Sequence, residues 1–211
     1  MLKLLGFTLV IVSKLLVFRK MRRMQTVSGI SLKSNTCMLI GYVLQFSNPK
    51  EWSDVSLYHL SSNLCKIAML EYQIGIIVLI LFKYNKTYDK QADKMSIWIL
   101  MLISLGIGLL GSIRRGGFIE AFWCVGVVLE SLSVIPQLVM MQESGDCESM
   151  NGRILFYYST GKTLNLVDDI GRGRVFNSLI GLFGLALVAD FIRVYYKHIR
   201  VNIEEKFRRQ K

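Results

Sequence analysis

Residues 122–146 read FWCVGVVLESLSVIPQLVMMQESGD, and they constrain the fold more than any other stretch of this chain. The run is apolar enough and long enough for a membrane helix, for which about 20 residues suffice. Yet Glu130 stands in its middle, and Pro136 and Gln137 stand near its end. A carboxylate at membrane depth is costly and faces a cavity or a partner. A proline removes one backbone donor and frees a carbonyl, and only protein or water can re-satisfy it there. The segment therefore predicts a hinged helix with one side turned into a protein interior.

Seven apolar blocks of this kind run roughly over 2–18, 35–48, 55–82, 96–113, 117–141, 153–171 and 174–196, the second and sixth being weak. The chain is 52% hydrophobic, with its apolar residues gathered in blocks and no soluble-domain-sized gap between them. This predicts an all-α membrane protein: one seven-helix receptor-like domain over 1–196 and a basic tail over 197–211. The net charge of +11 falls between and after the blocks. It reads as a set of orientation signals with contact to anionic membrane lipids, not as a nucleic-acid footprint. RKMRR (19–23) follows the first block without a small-residue cleavage site before it. The N-terminus is then expected on the lumenal side, and KYNKTYDKQADK (83–94) and the C-terminal tail in the cytosol. Cys37, Cys65, Cys124 and Cys147 show no paired spacing, and neither a disulfide nor a metal site is assigned to them.

Polar residues recur inside the blocks at helical spacing. Lys3 and Lys14 fall on one face of the first block. His59, Asn63 and Lys66 share a face of the third, and Trp123 and Glu130 one of the fifth, with Glu120 a turn before Trp123. Lys162, Asn165, Asp169 and Arg172 form a stripe along the sixth. Taken singly, each has a plain structural role: Lys3 and Arg172 near block ends can snorkel, His59 can be an interior histidine, and Trp123 can anchor at the interface. Together they predict a polar cavity of mixed charge, suited to a short acidic peptide whose other end is cationic or aromatic-binding. There is no nucleophile motif, His-rich metal spacing or phosphate loop, so no enzyme activity, cofactor or metal is expected.

Ordered along the chain stand GISLKS (29–34), SLY (56–58) followed by Lys66, KTYD (86–89), EAFW (120–123), LES and IPQL within 129–138, GKTL (161–164) and DFIRVYY (190–196). This set resembles the ER lumen protein-retaining receptors, the KDEL or HDEL receptors. The resemblance implies a fold like that of the PQ-loop and SWEET-like sugar-efflux transporters, with two three-helix bundles joined by a linker helix. It implies a receptor in endoplasmic reticulum and Golgi membranes. Such a receptor binds the C-terminal tetrapeptide of escaped ER proteins and returns them in coat-protein-I (COPI) vesicles. By position, Lys3 matches a cavity arginine, Glu120 and Trp123 the pair receiving the signal's basic residue, and Lys162 and Arg172 two basic residues. Glu130 matches a gating carboxylate and Asp190 a transport aspartate; Asp169 and Gln45 belong to the same ligand-binding set. Lys206, Arg208 and Arg209 are the expected coat-binding tail. The chain departs from the family at Gln45, Asn48, Gly161 and Val10, which replace an arginine, an aspartate, a tyrosine and the pH-sensing histidine. His59 is the remaining lumenal candidate for the sensor. The alternatives are a small-solute transporter of the same fold and a member retaining only cytosolic contacts.

Overall fold

The computed structural model describes residues 1–47, 52, 56–113, 117–144 and 151–209, with 198–209 described by backbone alone. Asn48 and Cys147 lie outside the described residues, as do the side chains of His198, Lys206, Arg208 and Arg209. The helices are α1 (Leu2–Met24), α2 (Leu32–Phe46), α3 (Leu57–Val78), α4 (Ile97–Ser112), α5 (Phe118–Leu132), α6 (Val134–Ser144), α7 (Gly152–Gly171) and α8 (Val175–Arg209). A π-turn, Leu79–Lys83, prolongs α3. There is no strand among the described residues.

Local chemistry sets several of these boundaries. Ser31, Ser56 and Asn151 are N-caps whose side-chain oxygens accept from the amides of Ser34, His59 and Arg153, satisfying donors that a helix start leaves unpaired. The apolar segment 118–144 forms one crossing broken at Ser133. Pro136 has no N–H for the carbonyl of Leu132, and its ring crowds that turn. The Ser34 hydroxyl donates to the buried carbonyl of Ser133. The predicted hinge is present, and a neighbouring helix hydrogen-bonds the backbone at the break.

Counting α5 and α6 as one, the helices make seven crossings. α3 packs against both α1 and α2, and α8 packs against α5, α6 and α7, giving two three-helix units. They meet along two seams, α1 on α7 and α2 on α5, while α4 packs on α5 and links the units. Each seam closes on a glycine pair. A Cβ on Gly161 would lie 2.8 Å from the Gly6 carbonyl oxygen, and one on Gly126 would lie 2.7 Å from that of Gly41. Gly161 is thus a helix-crossing residue.

The segments Leu57–Lys83, Phe118–Ser144 and Val175–Lys197 are long and apolar enough to span a bilayer, and Ile97–Ser112 is a shorter apolar helix. Their outward residues, such as Leu60 and Leu64 on α3, Leu102 and Leu110 on α4, and Leu179 and Phe183 on α8, are exposed apolar surface. That surface is what a lipid solvent requires. The more polar α1, α2 and α7 form the two seams at the centre.

Candidate ligand-binding cavity

A cavity lies between the units, at the end of the bundle that carries the N-terminus. Its charged lining is Lys3, Lys66, Glu130, Lys162 and Asp169, accompanied by Gln45, Trp123 and Asn177. The first unit contributes Lys3, Gln45 and Lys66, and the second contributes Trp123, Glu130, Lys162, Asp169 and Asn177. Cations therefore stand on both walls, while the indole and the carboxylates belong to the second.

Glu130 and Lys162 form an ion pair, with side chains 14% and 21% exposed. Gln45 donates from Nε2 to the second Glu130 oxygen at 2.8 Å and to the Gly126 carbonyl at 3.2 Å. The close Gly41–Gly126 crossing puts Gln45 within reach of α5. Lys66 is buried, donates to Asn63 Oδ1 at 3.3 Å and lies over the rings of Phe46 (5.8 Å) and Trp52 (5.5 Å). Aromatic faces attract such a cation without neutralising it. Lys3 lies 5.7 Å from the Phe7 ring centroid.

Of the residues named from sequence, Lys3, Gln45, Trp123, Glu130, Lys162 and Asp169 meet in this cavity. Glu120, His59, Arg172 and Asp190 are not part of its lining. Glu120 is partly buried in the first turn of α5. Arg172 caps α7 and pairs with Asp168 at 2.7 Å, and Asp169 pairs with Arg174 at 3.2 Å. His59 packs edge-on against Tyr58, with ring centroids 5.5 Å apart. Asp190 is exposed on α8. Lys14, on the face of α1 that also carries Lys3, lines the second cavity instead.

Two groupings escaped the sequence reading. Gln73 is fully buried; its amide donates to Asn35, at 2.8 Å to Oδ1 and 3.0 Å to the carbonyl, and its Oε1 accepts from Lys14. Gln73 lies seven residues after Lys66 and so continues the same stripe, a signal the sequence does carry. At the opposite end of the bundle, Asp93 is 1% exposed. Its carboxylate accepts from the Ser31 hydroxyl (3.0 Å), the Lys33 amide (3.2 Å) and the Tyr88 hydroxyl (2.6 Å). Asp93 and Tyr88 bring the 83–94 connection onto the GISLKS loop, a pairing no helical period could reveal. Burial and the hydrogen bond to Asp93 hold the Tyr88 hydroxyl above its ordinary pKa.

A family model described as ER lumen protein retaining receptor matches residues 26–172. The ER lumen protein-retaining receptor of Dictyostelium discoideum is 28% identical over 206 residues, covering 92% of both chains. ER lumen protein-retaining receptor A of Arabidopsis thaliana is 25% identical and covers 93% of both. ER lumen protein-retaining receptor 2 of Gallus gallus is 27% identical over 86% of both.

Proposed function

The chain belongs to the ER lumen protein retaining receptor family, and from that premise we propose that its cavity of mixed charge binds the C-terminal retrieval signal of lumenal ER proteins. The carrying observation is that three lysines, one indole and one ion-paired Glu130 converge where the two bundles meet. An acidic tetrapeptide complements this surface. Its carboxylates face Lys3, Lys66 and Lys162, and its basic or imidazole first residue lies at the Trp123 side, with Glu120 a turn away. Charge-assisted hydrogen bonds of this kind contribute about 1.5–3 kcal/mol each. Gln45 supplies an amide where the family has a cation, so Lys66 and Lys3 carry more of the terminal carboxylate.

Under this reading the cavity opens to the lumen and the Asp93 clamp faces the cytosol. The receptor cycles between Golgi and endoplasmic reticulum membranes, with COPI contacting Lys206, Arg208 and Arg209. Glu130 acts as the gating carboxylate, Asp190 acts in transport, and His59 serves as the lumenal pH sensor. His59 lies outside the cavity lining and contacts Tyr58, whose hydroxyl faces Arg172. Histidine is the side chain that gains charge just on the acid side of neutrality, and added positive charge favours an acidic ligand.

The test is binding of C-terminal Lys/His-Asp-Glu-Leu peptides to purified protein between about pH 5.5 and 7.5, a window around the ordinary histidine pKa. Tighter binding at acid pH, lost on C-terminal amidation and flattened by His59→Gln, is expected. Equal affinity for free and amidated peptides would falsify the reading of the cavity. A full pH dependence in His59→Gln would remove His59 alone.

A further inference from the structure

Lys14 sits near the middle of α1 and is 5% exposed, yet none of the ion pairs among the described residues includes it. Its ammonium donates to Gln73 Oε1 and to Met38 Sδ (3.0 Å) and lies 4.9 Å from the Tyr42 ring centroid. All three partners are neutral. Gln73 is itself held by Asn35, which fixes its amide with the oxygen towards Lys14. Three helices of the first unit are thus arranged to hold an ammonium in place through neutral contacts, with the Glu130 carboxylate acting on it only at longer range. A buried charge is ordinarily paired with an opposite one.

The second cavity, about 90 Å³, supplies the space beside it. Val10, Tyr42 and Met69, packed together with Tyr158, line the neighbouring cavity of Glu130 and Lys162, and Tyr158 and Val134 line both. The other polar donors in the second cavity are occupied. Ser13 donates to the Ile154 carbonyl, Ser34 to that of Ser133, and the Gln137 amide to that of Gly29. Tyr158 is different: its hydroxyl is buried with no hydrogen-bond partner, and the residue lines this cavity. Much of the remaining wall is apolar, including Val17, Ile76, Val134, Leu155 and Phe191.

We propose that this cavity is a second ligand site, which takes a small aliphatic monocarboxylate. Its carboxylate accepts from Lys14 Nζ and the Tyr158 hydroxyl, and its short chain lies on the apolar wall. One cation sets the charge of the ligand at minus one. The unpartnered hydroxyl calls for an acceptor with lone pairs to spare, as a carboxylate has. The apolar wall favours an aliphatic body over a bare inorganic anion, which would bury nothing there.

The experiment follows thermal unfolding of the purified full chain in detergent, titrated with sodium butyrate. Sodium chloride at matched ionic strength and n-butanol, the neutral counterpart, serve as references. Butyrate is expected to raise the Tm saturably while chloride and butanol do not. Lys14→Met should weaken the effect at least tenfold, and Tyr158→Phe a few-fold. The Tm of Lys14→Met without ligand reports whether it folds; Met fits an apolar interior and removes the uncompensated charge. If that variant does not fold, NMR of butyrate on the wild-type protein decides, through magnetisation transfer from the Tyr158 ring protons to the butyrate methylenes. No saturable rise, an equal rise with chloride, an undiminished rise in Lys14→Met, or no transfer from Tyr158 would each overturn the proposal.

Discussion

Glu130 has lysines on both sides of it in the fold but bonds only one. Lys162 and Gln45 take its two oxygens, while Lys14 turns to Gln73. Removing one partner of a buried pair leaves the other charge without compensation and costs about 3–5 kcal/mol; partial exposure here lowers that to about 2–4. Lys162→Met is therefore expected to lower the Tm clearly, and Lys162→Met with Glu130→Leu to recover most of the loss. A single variant as stable as wild type would show that the carboxylate finds another cation, with Lys14 the first to examine. The involvement of Glu130 was legible in the sequence, because a carboxylate in the middle of an apolar run is too costly to face lipid. Its choice of Lys162 was not, since that depends on where the fold sets α7 relative to α5.

At the level of elements, the Pro-Gln pair divides its labour. Pro136 breaks the crossing at Ser133, and Gln137 reaches across to the GISLKS loop. There it accepts from the Ser31 amide (2.8 Å) and donates to the Gly29 carbonyl (2.6 Å). Gly29 has φ 75°, in the left-handed region where glycine is favoured. Gln137→Ala would leave a buried amide and a buried carbonyl unpaired, at about 1–3 kcal/mol each. A Tm loss together with faster hydrogen exchange at residues 29–34 should follow, and unchanged exchange there would refute the pinning role. The neighbouring Asp93 clamp carries a pH signature. Because folding raises the Tyr88 pKa, this stabilisation is fully present below the unfolded tyrosine value of about 10 and is lost as pH rises through the folded value. Wild type should lose stability above about pH 10 more steeply than Tyr88→Phe. Parallel profiles would mean that the hydroxyl contributes nothing there.

For the molecule as a whole, the backbone of α8 stays helical from the bilayer-length segment through Arg209. A tail continuous with a helix transmits that helix's position directly to its end, which suits a coat signal coupled to the ligand cavity. Under the proposed cycle, replacing Lys206, Arg208 and Arg209 by Ser should move the steady-state location from the endoplasmic reticulum and early Golgi to later compartments. Quantitative microscopy against compartment markers measures this, and an unchanged distribution would remove the tail from the retrieval step. The two units show why the second and sixth blocks read weakly. α2 and α7 lie at the seams and carry polar faces, so their mean apolarity falls although they stand at the centre of the bundle.

The sequence by itself determined the helical membrane class, the block boundaries to within a few residues at most ends, the hinge, and the charged residues that line the cavity. Apolar length, proline chemistry and helical period are local quantities, and a chain displays them before it folds. Tertiary structure alone decided the pairing. Periodicity places Lys3 and Lys14 on one face of α1, yet they line different cavities, because Lys14 lies deeper in the bundle, held by Gln73 and Met38 of the neighbouring helices. It likewise decided that Asp168 and Asp169 turn to Arg172 and Arg174, and that Asp93 is buried by a loop distant in sequence. Which charge meets which is a matter of helix crossing distance, set here by glycines whose missing side chains bring the two bundles together.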